Sequence, residues 1–97
     1  MHVWRLCIHQ SPDMYIAQGQ SVSLSCTQKS NYVNMYWYKL NTEGRLELVV
    51  FSIEGSNPSI EKAFDGHFHS ERDTYALSLW TEHAKPTDSA VYFCAKQ

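Results

Sequence analysis

The sequence is poor in nearly everything that marks a chain for nucleic acid, lipid or catalysis. Its 8 Lys and Arg stand against 10 Asp and Glu, a formal net charge of −2, and no basic cluster occurs anywhere. It therefore offers neither the positive stripe that nucleic acid needs nor a polybasic face for an anionic membrane. No apolar run approaches the roughly 20 residues that span a bilayer as a helix. The opening MHVWRLCIHQ is short, mixed and interrupted by Arg5 and two histidines, so it does not read as a secretory leader. Residues 1 to about 6 stand apart, as a leader remnant or an artefact of where the sequence begins. An Asn-x-Ser/Thr acceptor is missing too, since Asn57 is followed by Pro58. No Ser/His/Asp set, glycine-rich phosphate loop or carboxylate pair stands out, so no enzyme is expected. The five histidines make no metal site on paper. His67 and His69 share one strand face with Glu71, but His2, His9 and His83 are scattered, and zinc requires three or four converging ligands. Neither a metal nor a cofactor is expected.

Cysteine is scarce and odd in number: Cys7, Cys26 and Cys94. Cys26 and Cys94 each end an alternating apolar stretch, whereas Cys7 lies in the ragged N-terminal part, so Cys26 is paired with Cys94. Such a bridge stabilises by about 4 kcal/mol in the chain-entropy model. That is a large share for a 97-residue chain, which buries only about two-thirds of its unfolded surface. Three reduced cysteines in a cytosolic domain are the alternative.

What the sequence does hold is alternation. SVSLSC sets Val22, Leu24 and Cys26 on one face and three serines on the other, the pattern of a half-buried strand. VNMYWYKL puts Met35 and Trp37 opposite Tyr36, Tyr38 and Leu40; RLELVVF, TYALSLW and SAVYFCA read as further strands. Between them lie QGQ, NTEGR, EGSNPS, DGH and KPTD, all rich in turn formers. Hydrophobic content of 43% with 13% aromatics is that of a globular chain. Short strands between turns predict one all-β domain over 1–97, an antiparallel two-sheet sandwich.

Cys26, then Trp37 eleven residues on, then DSAVYFC ending in Cys94, resembles the immunoglobulin V-type domain. In that fold a bridge joins two facing sheets, a tryptophan packs on it, and a tyrosine two residues before the second cysteine bonds back to the backbone. The resemblance runs from His9 onward and implies a core of Trp37, Leu79, Tyr92 and Asp88. Within the family, CTQKSNYVNMYWYKL, GRLELVVFSIEGS and IEKAFDGHFHSER are similar to the T-cell receptor beta variable segment. The sequence stops where such a germline segment stops. The resemblance thus implies that the last strand (G) is absent, supplied by a separately encoded joining segment, and that the strand ending in Cys94 is an unpaired apolar edge. Two residues depart from the pattern. Leu40 stands where a glutamine would pair with its twin across a chain interface. His67 stands where an arginine would pair with Asp88, and histidine completes such a pair only when protonated.

By the same resemblance, antigen-binding loops sit at one end of the sandwich. Loop one is Ser30, Asn31, Tyr32, Val33 and Asn34. Loop two is Ser52, Ile53, Glu54, Gly55, Ser56 and Asn57, and loop three begins with Ala95, Lys96 and Gln97. The Ser/Asn/Tyr/Gly composition suits recognition, although ordinary turns favour much of it too. Tyr36, Tyr38, Leu40, Leu46 and Phe93 form a second surface, facing a partner chain. Trp80 turns outward, because Leu77 and Leu79 take the inward register. The resemblance implies a receptor beta-chain variable domain on the extracellular side of the plasma membrane, within a longer receptor chain. It would pair with an alpha chain, bind peptide held by a major histocompatibility molecule, and signal through subunits that engage parts outside this chain. The rival readings are a non-rearranging V-set receptor or adhesion domain, or an antibody light-chain or gamma or delta receptor domain.

Overall fold

The computed structural model describes the backbone of residues 5–10 and 22–27 and the whole of residues 34–97. Its strands are β1 (Arg5–Gln10), β2 (Val22–Thr27), β3 (Met35–Leu40), β4 (Leu46–Ser52), β5 (Ser59–Ile60), β6 (His69–Asp73), β7 (Ala76–Thr81) and β8 (Val91–Lys96). A short 3-10 turn at Pro86–Asp88 precedes β8. The strands form a five-stranded sheet in the order β1-β8-β3-β4-β5 and a three-stranded sheet in the order β2-β7-β6. This is the expected immunoglobulin V-type antiparallel sandwich, and among the described residues no strand follows β8.

The period-2 pattern becomes burial in β7. Leu77, Leu79 and Thr81 are buried while Ala76, Ser78 and Trp80 alternate with them on the outer side. Trp80 does turn outward, and its ring lies 5.7 Å from that of His69 on β6. The core combines Met35, Trp37, Val49, Val50, Phe68, Leu77, Leu79, Tyr92 and Cys94 from both sheets. The indole of Trp37 also donates to the carbonyl of Leu77 at 2.9 Å, which ties β3 to β7 across the gap. Cys94 is disulfide-bonded. Cys26 holds the β2 register position opposite Leu77, in the other sheet; its side chain, like that of Cys7, lies outside what the structure describes.

Two features differ from expectation. β8 is not an unpaired edge: β1 runs antiparallel beside it, with Arg5 opposite Lys96, Leu6 opposite Ala95 and Gln10 opposite Phe93. A row of open backbone donors and acceptors favours any strand that can satisfy it, and here the N-terminal stretch does so. In β4 the alternation breaks. Trp37 pairs with Val50 but Tyr38 with Leu48, so Val49 is an extra residue in a bulge, and both valines are buried.

Candidate functional site

The second loop is a tight turn at one end of the five-stranded sheet. Glu54 and Gly55 both take positive φ, 49° and 81°, and the Ser56 amide donates to the Ile53 carbonyl at 2.8 Å. Positive φ at both central residues is the type I′ arrangement, which suits the twist of adjoining antiparallel strands. Glycine accepts that conformation readily, whereas glutamate needs outside support. The Glu54 amide donates to Oδ1 of Asn34 at 3.0 Å. Ser52 Oγ donates to the Ser56 carbonyl at 2.6 Å, and the Ile53 amide donates to Ser56 Oγ at 3.2 Å. From β6 in the opposite sheet, Arg72 Nη1 reaches Ser52 Oγ at 3.3 Å. Burial pushes the Arg72 guanidinium down from its ordinary value.

Asn34 also meets the start of loop three. Its amide and carbonyl exchange a pair of 2.9 Å hydrogen bonds with Gln97. The Gln97 side-chain oxygen accepts from the Tyr36 hydroxyl at 2.8 Å. Asn34 therefore reaches Glu54 through its side chain and Gln97 through its backbone. Ser30, Asn31, Tyr32 and Val33 lie outside the described residues.

The outer face of β3, β4 and β8 is built from directly opposed residues. Leu40 faces Leu46 on one side and Val91 on the other; Tyr38 lies between Leu48 and Phe93; Tyr36 lies between Phe51 and Ala95. The three rows contain no charged residue. Tyr36 and Tyr38 stack with ring centres 6.3 Å apart, and burial followed by the neighbouring Tyr36 pushes the Tyr38 phenol up. Leu46 is 47% exposed, while Tyr38, Leu40 and Phe93 are half-buried.

At the far end of the sandwich, Asp88 is 4% exposed yet well partnered. Its Oδ2 lies 2.7 Å from His67 Nε2 and accepts the Lys85 amide at 2.7 Å, while its carbonyl accepts the Tyr92 hydroxyl at 2.6 Å. The His67 ring meets the edge of Phe68, which in turn packs against Tyr92. His67 and His69 consequently serve different neighbours. Among the described residues no group of His, Cys, Asp or Glu converges on a metal position.

The immunoglobulin V-set family model matches residues 9–97. T cell receptor beta variable 6-6 of Homo sapiens is 33% identical over 89 residues, covering 91% of this chain and 78% of that protein. T-cell receptor beta chain V region C5 of Mus musculus is 36% identical over 89 residues, covering 91% and 73%. T cell receptor beta variable 2 of Homo sapiens is 33% identical over 90 residues, covering 91% and 78%. The chain belongs to the T-cell receptor beta variable family of immunoglobulin V-set domains.

Within this V-set domain the structure revises several expected surface residues. Ser52 and Ala95 are 0% exposed: Ser52 turns inward to hold Ser56, and Ala95 sits inside β8 between Tyr36 and Leu6. Neither can touch a ligand. Tyr36, expected on the partner face, is only 7% exposed; it lies between Phe51 and Ala95 and its hydroxyl donates to Gln97. Lys96 belongs to β8 and is half-buried, whereas Ile53, Glu54, Gly55, Ser56, Asn57 and Gln97 are exposed. The sequence reading also missed Leu48, Phe51 and Val91. A strict alternation through RLELVVF hides Phe51, and only the bulge at Val49 returns it to the face of Leu46. Tyr75, expected within the strand TYALSLW, lies instead in the turn between β6 and β7 and is 48% exposed.

Proposed function

We propose that this domain is the antigen-recognition part of a receptor beta chain. It pairs through the outer face of β3, β4 and β8 with an alpha-chain variable domain, and the combined loops bind peptide held by a major histocompatibility molecule. What supports the pairing is the two uncharged cross-strand rows through Tyr38 and Leu40, with Leu46 left half in water. Contiguous apolar surface of this kind marks a protein interface. In the same reading Cys26 is the partner of Cys94, one V-set domain fills the chain, and the domain sits on the extracellular side of the plasma membrane within a longer receptor. Recognition proceeds by shape and polar complementarity with no bond made or broken. Signalling falls to separate subunits.

The reading separates from a fixed V-set receptor by one observation on the gene. A recombination signal immediately downstream of the Gln97 codon is expected for a rearranging receptor segment. A splice donor, or an in-frame final strand, overturns the peptide-recognition reading.

A further inference from the structure

We propose that Asn34 is a positioning residue: it sets the shape of the second loop from the first and locks both to the start of the third. The inference rests on the recognition reading for its purpose, but its geometry stands alone. Glu54 holds φ 49°, a left-handed conformation that is unfavourable for a residue with a Cβ. Such a conformation persists where its surroundings over-determine it. The surroundings here are specific. The Asn34 side-chain oxygen accepts the Glu54 amide across 20 residues of sequence. Asn34 is itself fixed by two backbone hydrogen bonds to Gln97, and Gln97 by the Tyr36 hydroxyl.

The other flank of the turn is anchored independently. Arg72 donates through Nη1 to both the carbonyl and Oγ of Ser52, at 3.4 and 3.3 Å. Its Nη2 reaches the Thr74 carbonyl at 3.5 Å. The exposed segment from Ile53 to Asn57 is thus strung between a half-buried asparagine and a half-buried arginine, neither of them in the loop. A loop held this way meets its ligand already ordered, so less conformational entropy is lost on binding.

The test reads amide hydrogen exchange residue by residue on the full chain by NMR, and needs no ligand. Asn34→Ala is expected to lower the protection of the Glu54 amide about five- to tenfold, the loss of one hydrogen bond, while the amides of Trp37 and Leu79 keep theirs. Asn34→Asp retains an acceptor oxygen and is expected to restore Glu54 to within about twofold of the original protection. Unchanged Glu54 protection in Asn34→Ala overturns the proposal. So does equal loss in Asn34→Asp, or a loss shared by every core amide, which would make Asn34 a merely structural residue. Should Asn34→Ala not fold, the temperature coefficient of the Glu54 amide in the unaltered chain decides: a hydrogen-bonded value supports the assignment, a solvent-like value removes it. A failure to find a recombination signal would leave this result untouched, so the two proposals fail separately.

Discussion

Trp37 Nε1 and the carbonyl oxygen of Leu77 lie 2.9 Å apart, joining the two sheets by a hydrogen bond sealed in the core. The indole is 1% exposed and Leu77 0%, so water cannot replace either partner. Trp37→Phe removes ring volume and leaves the carbonyl with one fewer donor. The cavity and the unmet acceptor together are expected to cost about 2–4 kcal/mol. Denaturant unfolding of the two proteins measures it. A loss below about 1 kcal/mol would mean that the sheets are not held through this contact.

At the far end, His67 Nε2 and Asp88 Oδ2 at 2.7 Å join the approach to β6 to the turn before β8. The pair is unequal: the side chains are 24% and 6% exposed respectively. Asp88→Ala deprives the Lys85 amide of its acceptor as well as His67, and is expected to cost about 2–4 kcal/mol. His67→Ala should cost less, about 1 kcal/mol. A double-mutant cycle at pH 7.4 is expected to give a coupling of about 1 kcal/mol. Additive losses would show that the two side chains meet without stabilising one another.

Tyr92 makes alkaline stability predictable in sign. Burial, then the charges of Asp88 and Glu47, push its phenol far above the ordinary tyrosine value, and its hydroxyl donates to the Asp88 carbonyl at 2.6 Å. Below about pH 10 the phenol is neutral in both folded and unfolded chains and its contribution is complete. Above that, the unfolded chain ionises while the folded chain does not. Stability then falls as pH rises, by up to about 1.4 kcal/mol per unit for this group. Tyr92→Phe should lose about 1–2 kcal/mol at pH 7 and show a shallower decline above pH 10. Parallel declines in the two proteins, followed by chemical denaturation from pH 7 to 11, would remove Tyr92 from the cause.

The sandwich was legible because its signals are local. Alternation in ALSLWT assigns Leu77, Leu79 and Trp80 to their faces with no other information, and the spacing of Cys26, Trp37 and Cys94 then names the fold. The pairing of β1 with β8 was not legible, because it joins the two ends of the sequence and depends on which strand reaches an open edge. Val49 hid for a related reason: a bulge is defined by the partner strand, and Trp37 and Tyr38 supply that register from elsewhere. Of the loop residues, chain position located the turn from Ile53 to Asn57 correctly. It could not say that Ser52 and Ala95 turn inward, or that Asn34 spends its side chain on Glu54.

Leu40 offers the sharpest test of the partner face. It lies directly between Leu46 and Val91, in a row with no donor or acceptor side chain, at the position where the family resemblance implies a glutamine. A partner glutamine opposite Leu40 would bury an amide without its mate, which costs about 1–3 kcal/mol. Leu40→Gln should therefore tighten association with an alpha-type variable domain that carries glutamine at the facing position, by about five- to tenfold. Leu46→Lys places a charge where the face is most exposed. It should weaken the same association by at least about tenfold and leave the melting temperature within about 2 °C, because Leu46 adds little to the core. Sedimentation velocity of the mixed domains reads both effects. If Leu46→Lys leaves association intact, the partner must bind elsewhere than on β3, β4 and β8. If it abolishes association while Leu40→Gln has no effect, the face is right, but the partner meets Leu40 with an apolar residue of its own.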